Sequence, residues 1–86
     1  MAYAVHMRSS AERERRRLQG HIRQRINRHL LQLESEPRPS GVEKLVGRPN
    51  SWRIRVGDYR ILYEIDDANQ RVIINRIAHR RDVYQR

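Results

Sequence analysis

Three arginines fall within the nine-residue stretch WRIRVGDYR, at positions 53, 55 and 60, and Arg80 and Arg81 follow in HRRDVY. A guanidinium is planar, permanently charged and able to grip a phosphate through two parallel N–H groups. The stretch reads as a strand, a two-residue turn at Gly57-Asp58 and a returning strand, because glycine takes the positive φ that such a turn needs at its first position. The turn sets the register: Val56 faces Tyr59, Arg55 faces Arg60, Ile54 faces Ile61, Arg53 faces Leu62 and Trp52 faces Tyr63. Side chains alternate across a strand. One face therefore carries Trp52, Ile54, Val56, Tyr59, Ile61, Tyr63 and Ile65, and the other carries Arg53, Arg55, Arg60, Leu62 and Glu64. Like charges opposite one another are destabilising, and on this face only Glu64 offsets them. A solvated outer face accounts for one such pair. Three arginines, joined by a basic strand end, fit a cradle for a polyphosphate chain. Beside them stands His79, and an imidazole can move a proton. Tyr84 presents a ring that either stacks on a base or caps the edge of the core, and a hydroxyl that donates or accepts.

The elements that must position these groups are legible in the rest of the 86 residues. Residues 3–7 (YAVHM) suit a short first strand. Ser9 followed by Glu12 fits a capping box, the arginines at 15, 16 and 17 suit a helix C-terminus, and Gly20 suits the left-handed residue that ends a helix. With only Ala11 and Leu18 on an apolar line, this helix should lie at the surface. A second helix is expected over residues 21–34, where Ile22, Ile26, Leu30 and Leu33 form one stripe, widened by Leu31. Pro37 and Pro39 stop it. Residues 43–46 suit a short strand. Residues 72–78 (VIINRIA) are apolar on both faces except at Asn75 and Arg76, as in a central strand covered on both sides. The fold class is α+β: an N-terminal strand, a helical hairpin, then an antiparallel sheet of three to four strands, in a single domain spanning residues 1–86.

Composition narrows the chemistry. Nineteen Lys and Arg against ten Asp and Glu give a net charge of +9, which attracts polyanions such as nucleic acid, an anionic membrane or a strongly acidic protein, with nucleic acid or an acidic partner favoured. The absence of cysteine excludes disulfides, thiolate nucleophiles and cysteine-based zinc sites. His6, His21, His29 and His79 lack metal-ligand spacing, no nucleotide-binding glycine motif is present, and no cofactor or metal is expected. Asp66 and Asp67 suit a turn cap better than an acid–base pair. The opening MAYAVHMRSS has no apolar core of signal-peptide length and no run is long enough for a membrane span, so a cytoplasmic protein is expected.

The block LVGRPNSWRIRVGDYRILYEIDD, closed by VIINRIAHRRDVY, resembles the RelE/ParE superfamily of toxins, on the RelE side, over nearly the whole chain. The resemblance implies a ribosome-dependent, metal-independent endoribonuclease (an mRNA interferase) that cuts messenger RNA by attack of the RNA's own 2′-hydroxyl. It also implies an acidic, RelB-like cognate antitoxin that blocks the toxin and joins it in repressing their operon by binding operator DNA. Carried onto this chain, the family's basic hairpin residues match Arg53 and Arg55, its next-strand arginine matches Arg60, and its arginine after the last strand matches Arg80, with Arg81 beside it. Its C-terminal tyrosine matches Tyr84. Arg60 and Arg80 would stabilise charge on the scissile phosphate, and Arg53 and Arg55 would orient the RNA. His79 and Arg81 would contact RNA, and Arg23 and Arg25 would dock on ribosomal RNA or on the acidic antitoxin. Some relatives carry lysines where Arg53 and Arg55 stand; arginine cannot lose its proton, so any proton transfer falls to His79, Tyr84 or the ribosome. Two other functions are compatible with the same residues: a ParE-like toxin that inhibits DNA gyrase, and a basic module that holds RNA without cutting it.

Overall fold

The computed structural model describes residues 2–84; Met1 and the last two residues of the tail, Gln85 and Arg86, lie outside it. The elements are β1 (Ala4–Met7), α1 (Ser9–Arg16), α2 (Gly20–Gln32), β2 (Glu43–Lys44), β3 (Ser51–Val56), β4 (Tyr59–Asp66) and β5 (Arg71–His79). The strands form one sheet in the order β1-β5-β4-β3-β2. It is antiparallel except at its edge, where β1 runs parallel to β5. The fold is thus the expected α+β arrangement: β2, β3, β4 and β5 make an antiparallel sheet of four strands, with the stub β2 at one edge, and the N-terminal strand joins it at the other edge through β5.

The hairpin of β3 and β4 has the expected register, from Trp52 opposite Tyr63 to Val56 opposite Tyr59. Gly57 takes φ of +59° at the turn. In β5 the register shifts. Leu62 pairs with Arg76 but Tyr63 pairs with Ile74, so Asn75 is an extra residue. This β-bulge re-aims the side chains on either side of it. Strict alternation separates Ile74 from Ile77, whereas the bulge puts both on the face of Tyr63 and Ile61. The strand is central, as expected, but its large apolar residues are gathered largely on one face instead of being shared between two.

That face is the core. Ile26 and Leu33 of the α2 stripe and Ala11 of α1 pack on Ile54, Val56, Ile61, Tyr63, Ile65, Val72, Ile74 and Ile77. Ile22 and Leu30 pack at its margin, but Leu31 is exposed rather than widening the stripe. The Tyr63 hydroxyl is satisfied by donating to the Pro37 carbonyl at 2.7 Å. Burial pushes its pKa well above the ordinary phenol value.

Both helix ends differ from their sequence signals. Ser9 is the first residue within α1, Arg8 precedes it and no side chain caps the start. Glu12 is instead held by Arg15, at 2.7 Å to each oxygen, and by Arg16 at 3.0 Å. Two guanidinium groups compete for the carboxylate more strongly than a backbone N–H does. Gly20 opens α2 rather than closing α1. The end of the first helix and the turn after it are reached by Arg23, whose Nη1 donates to Arg16 O at 3.3 Å and Leu18 O at 3.1 Å.

The loop between α2 and β2 is latched by Asp67. Arg38 donates to both of its oxygens, at 3.2 and 2.7 Å, and the Tyr3 hydroxyl donates at 2.7 Å. Asp66 caps the adjoining turn by accepting from Asn69 N at 3.2 Å and from Arg71 at 3.0 Å. Both acids are therefore structural, as expected from their place in the turn.

A candidate nucleic-acid interface on the open face of the sheet

The face away from the helices carries Arg53, Arg55 and Arg60 with Leu62, Glu64 and Arg76, as the register of β3, β4 and β5 requires. The short β2 is what organises the arginines. Its pairing puts Glu43 opposite Arg53, and the Glu43 carboxylate accepts from Arg53 Nη2 at 3.0 Å and from Arg55 Nε at 3.3 Å. Glu43, not Glu64, offsets the like charges. Glu64 serves Asn75 at 2.7 Å and Arg8 at 3.5 Å instead. The sequence pattern marks residues 43–46 as a strand without a register, and the register is what aims Glu43 at the arginines.

The C-terminal turn brings Tyr84 to the same place. Arg53 Nη1 donates to the Tyr84 hydroxyl, and the Arg53 guanidinium carbon lies 5.8 Å from the centre of the Tyr84 ring. Tyr84 is 56% exposed, so its ring does not cap the core; Val83, which no sequence pattern singles out, is buried in that role. Tyr84 first and Glu43 after it raise the Arg53 pKa above its ordinary value against the cost of burial. Arg53 Nε is buried with no acceptor among the described residues, so this guanidinium keeps a donor unspent. A cleft of about 460 Å³ adjoins the pair, lined by Leu45, Val46, Arg48, Leu62, Val83 and Tyr84 among others. Apolar walls beside exposed cations suit a nucleobase next to its phosphate.

A second cluster sits at the hairpin turn. Arg60 Nη1 donates to Gly57 O at 3.0 Å and Tyr59 O at 2.8 Å. Arg80 is tethered there by its own N–H, which donates to Asp58 O at 2.7 Å, and its Nε lies 3.8 Å from the Asp58 carboxylate. The two clusters meet where Arg55 stands opposite Arg60. The result is a continuous basic strip along one sheet face.

The other four candidate contact residues stand outside this strip or have other partners. His79 pairs in register with Tyr59 and packs edge-on against its ring at 5.5 Å, on the face of the helices. The bulge at Asn75 is what puts it there. Arg23 is committed to the carbonyls of Arg16 and Leu18. Arg25 leans on the Gly57 turn from the helix side, lining a cleft with Ile22, Val56 and Tyr59. Arg81 is exposed and 3.7 Å from the carboxylate of its neighbour Asp82.

A sheet with two helices on one face and a basic strip on the other is the α+β architecture of RelE structures, and comparison with known proteins gives the family. Residues 5–84 match the profile of a family described as the ParE toxin of the type II toxin-antitoxin system, parDE. The chain is 32% identical to Toxin RelG of Mycobacterium tuberculosis over the full length of both proteins. It is 33% identical to Toxin RelE3 of Methanocaldococcus jannaschii over 76% of each. Its fold superposes on the archaeal RelE–RelB complex from Pyrococcus horikoshii with a TM-score of 0.84 at 26% identity, covering 96% of this chain and all of the toxin chain. The protein belongs to the RelE/ParE superfamily of type II toxin–antitoxin toxins.

Proposed function

We propose that the protein is a ribosome-dependent endoribonuclease that cuts messenger RNA without a metal ion and is neutralised by a cognate acidic antitoxin. The observation that carries this reading is the Arg53–Tyr84 contact within a strip that also holds Arg55, Arg60 and Arg80. In the reaction the 2′-oxygen of the RNA attacks the adjacent phosphorus and the bond to the 5′-oxygen breaks, leaving a 2′,3′-cyclic phosphate and a 5′-hydroxyl. The negative charge on the phosphoryl oxygens grows in the transition state. Arg60 and Arg80 meet that charge, a role for fixed cations at a developing anion. Arg53 and Arg55 orient the chain, and Tyr84 holds a base or sugar with its exposed ring. Arg60 must turn away from the two carbonyls it now serves, and the phosphate offers it a stronger, charged acceptor. The place of action is the cytoplasm, where translating ribosomes are.

The solved structure of a related toxin with its RelB antitoxin supports the partner. An acidic antitoxin would neutralise the same arginines that RNA needs, and the pair would then bind operator DNA through the antitoxin. A second reading is favoured by the ParE description of the matching family: inhibition of DNA gyrase through protein contacts. One experiment separates them. Purified toxin is added to translating ribosomes programmed with a defined message, and separately to gyrase with relaxed plasmid. Cleavage at fixed positions with cyclic phosphate ends is expected, with supercoiling unaffected. Intact message and blocked supercoiling would replace the first reading with the second.

A further inference from the structure

Glu14 of α1 and Arg76 of β5 belong to neither arginine cluster, yet they are tied to one. Beyond Ile74 the edge of β5 is left uncovered by β1, and α1 packs along it. Glu14 faces that edge with both oxygens engaged. Oε1 accepts the Ile77 backbone N–H at 2.9 Å, closing a main-chain donor at the open edge. Oε2 accepts from Arg76 Nε at 3.0 Å and from Nη2 at 2.8 Å. The grip fixes the plane of the guanidinium, and its remaining nitrogen, Nη1, donates to the Val83 carbonyl at 3.1 Å. Val83 is itself buried, and the next residue is Tyr84, whose hydroxyl accepts from Arg53.

We propose that Glu14 and Arg76 are positioning residues that form a relay through which α1 fixes the C-terminal turn and places Tyr84 beside Arg53. This rests on the reading that Tyr84 and Arg53 handle RNA. Three features make the assignment specific. The acid takes one donor from the backbone of β5 and two from Arg76, so it ties the helix to the sheet and to the side chain at once. Arg76 spans from that acid to the turn with three separate N–H groups, a geometry that lysine, with one nitrogen, cannot reproduce. The bulge at Asn75 determines that Arg76 leaves β5 on the open face, opposite Leu62, with Tyr84 lining the same cleft. The relay touches no substrate; it acts by narrowing where Tyr84 can sit.

The test uses the full chain with tyrosine rings labelled with carbon-13. In Arg76→Met the stem is kept and the donors are lost. The Tyr84 ring signals are expected to move toward those of a free tyrosine while the buried Tyr63 signals stay in place. On translating ribosomes kcat is expected to fall about tenfold, as for a substrate held out of its attack geometry, with KM within about twofold. The Arg76→Met/Tyr84→Ala double variant should cut no more slowly than Tyr84→Ala alone, because the relay works only through that ring. Tyr84 signals that do not move, or substitutions whose losses multiply, would overturn the relay. Should Arg76→Met fail to fold, Glu14→Gln keeps an acceptor for Ile77 and is read in the same way: displaced signals support the relay and unmoved ones reject it. In a wild type that cuts no RNA the ring signals still decide. Displaced, the relay stands and the nuclease reading falls; unmoved, both fall.

Discussion

The two faces of the sheet are built from alternate residues of the same strands, yet they obey opposite rules. On the helix side Ile54, Ile61, Tyr63, Ile65 and Ile74 are buried, and the one hydroxyl among them has found the Pro37 carbonyl. On the open side Arg53, Arg55 and Arg60 are crowded together with Glu43 as the acid that answers two of them. The first face gathers apolar groups out of water and the second gathers charge at the surface. A folded chain tolerates the second only because the first is complete: the like-charge penalty on the open face is small beside the burial on the other. Function is therefore expected to be lost on one face without loss of fold, and fold to be lost on the other whatever the chemistry.

The largest effect should come from the helix side. Tyr63→Ala empties the centre of the core and orphans the Pro37 carbonyl, at a cost of about 3–5 kcal/mol by analogy with other buried aromatics. Thermal unfolding should show a melting temperature lower by roughly 15 °C or more. A change of only a few degrees would mean that the stability of the sheet lies elsewhere.

On the open face the expectation is reversed. Arg60→Ala should reduce cleavage of ribosome-bound message by about a hundredfold, the scale for losing one fixed donor to a developing anion. Its melting temperature should stay near that of the parent, because surface substitutions are usually within about 0.5 kcal/mol. Full activity in this variant would remove Arg60 from the chemistry, whereas a collapse in stability would show that its bonds to Gly57 and Tyr59 hold the turn.

Glu43→Gln sharpens the comparison from the other side. Glu43 occupies Arg53 and Arg55 as an RNA phosphate would, so neutralising it should tighten binding of a short RNA, by about two- to fivefold given that exposed ion pairs contribute at most about 1 kcal/mol. Titration with labelled RNA at constant ionic strength measures this. Weaker binding would instead show that Glu43 holds the arginines in their productive orientation.

A smaller effect concerns acid stability and lies at neither face but at their rim. Arg38 first, and Tyr3 after it, hold the Asp67 pKa down to about 2. The folded pKa is thus below the unfolded one. The stabilisation is present above the ordinary value of 3.8 and is lost as pH falls toward about 2. Unfolding followed between those two values should show a shallower loss of stability in Asp67→Asn than in the parent. Equal slopes would assign the acid sensitivity to Glu12, which Arg15 holds at a similarly low pKa.

How much of this is legible in the sequence depends on the range of the interactions involved. The hairpin register is readable because a two-residue turn at Gly57 leaves no freedom between Trp52 and Tyr63. The stripe of Ile22, Ile26, Leu30 and Leu33 is readable because helical periodicity is local. The arginine cluster comes with the first of these. The roles of Glu43, Glu14 and Val83 are not readable, because each acquires its role from a partner distant in sequence, or from the place where the chain end returns. The bulge at Asn75 is equally hidden: an extra residue in one strand leaves no mark on an apolar run, yet it moves every side chain after it.

His79 is where that hidden bulge has its chief consequence for mechanism. With strict alternation through β5 it would share the face of Arg60 and be well placed to carry a proton. The bulge turns it to the helix side, edge-on to Tyr59 and with its Nδ1 accepting from the Arg81 backbone at 3.2 Å. A general acid or base contributes about 10²- to 10⁴-fold when it touches the reacting atoms. His79→Phe keeps the ring packing and removes the titrating group, so a histidine on the wrong face predicts cleavage within about twofold of the parent and an unchanged pH profile, against the far larger loss that a proton carrier would give. A hundredfold loss with the melting temperature intact would require the C-terminal turn to rearrange on the ribosome and bring His79 across the sheet edge. Parent-like cleavage leaves proton transfer to Tyr84 or to groups of the ribosome, since a guanidinium is a poor general base.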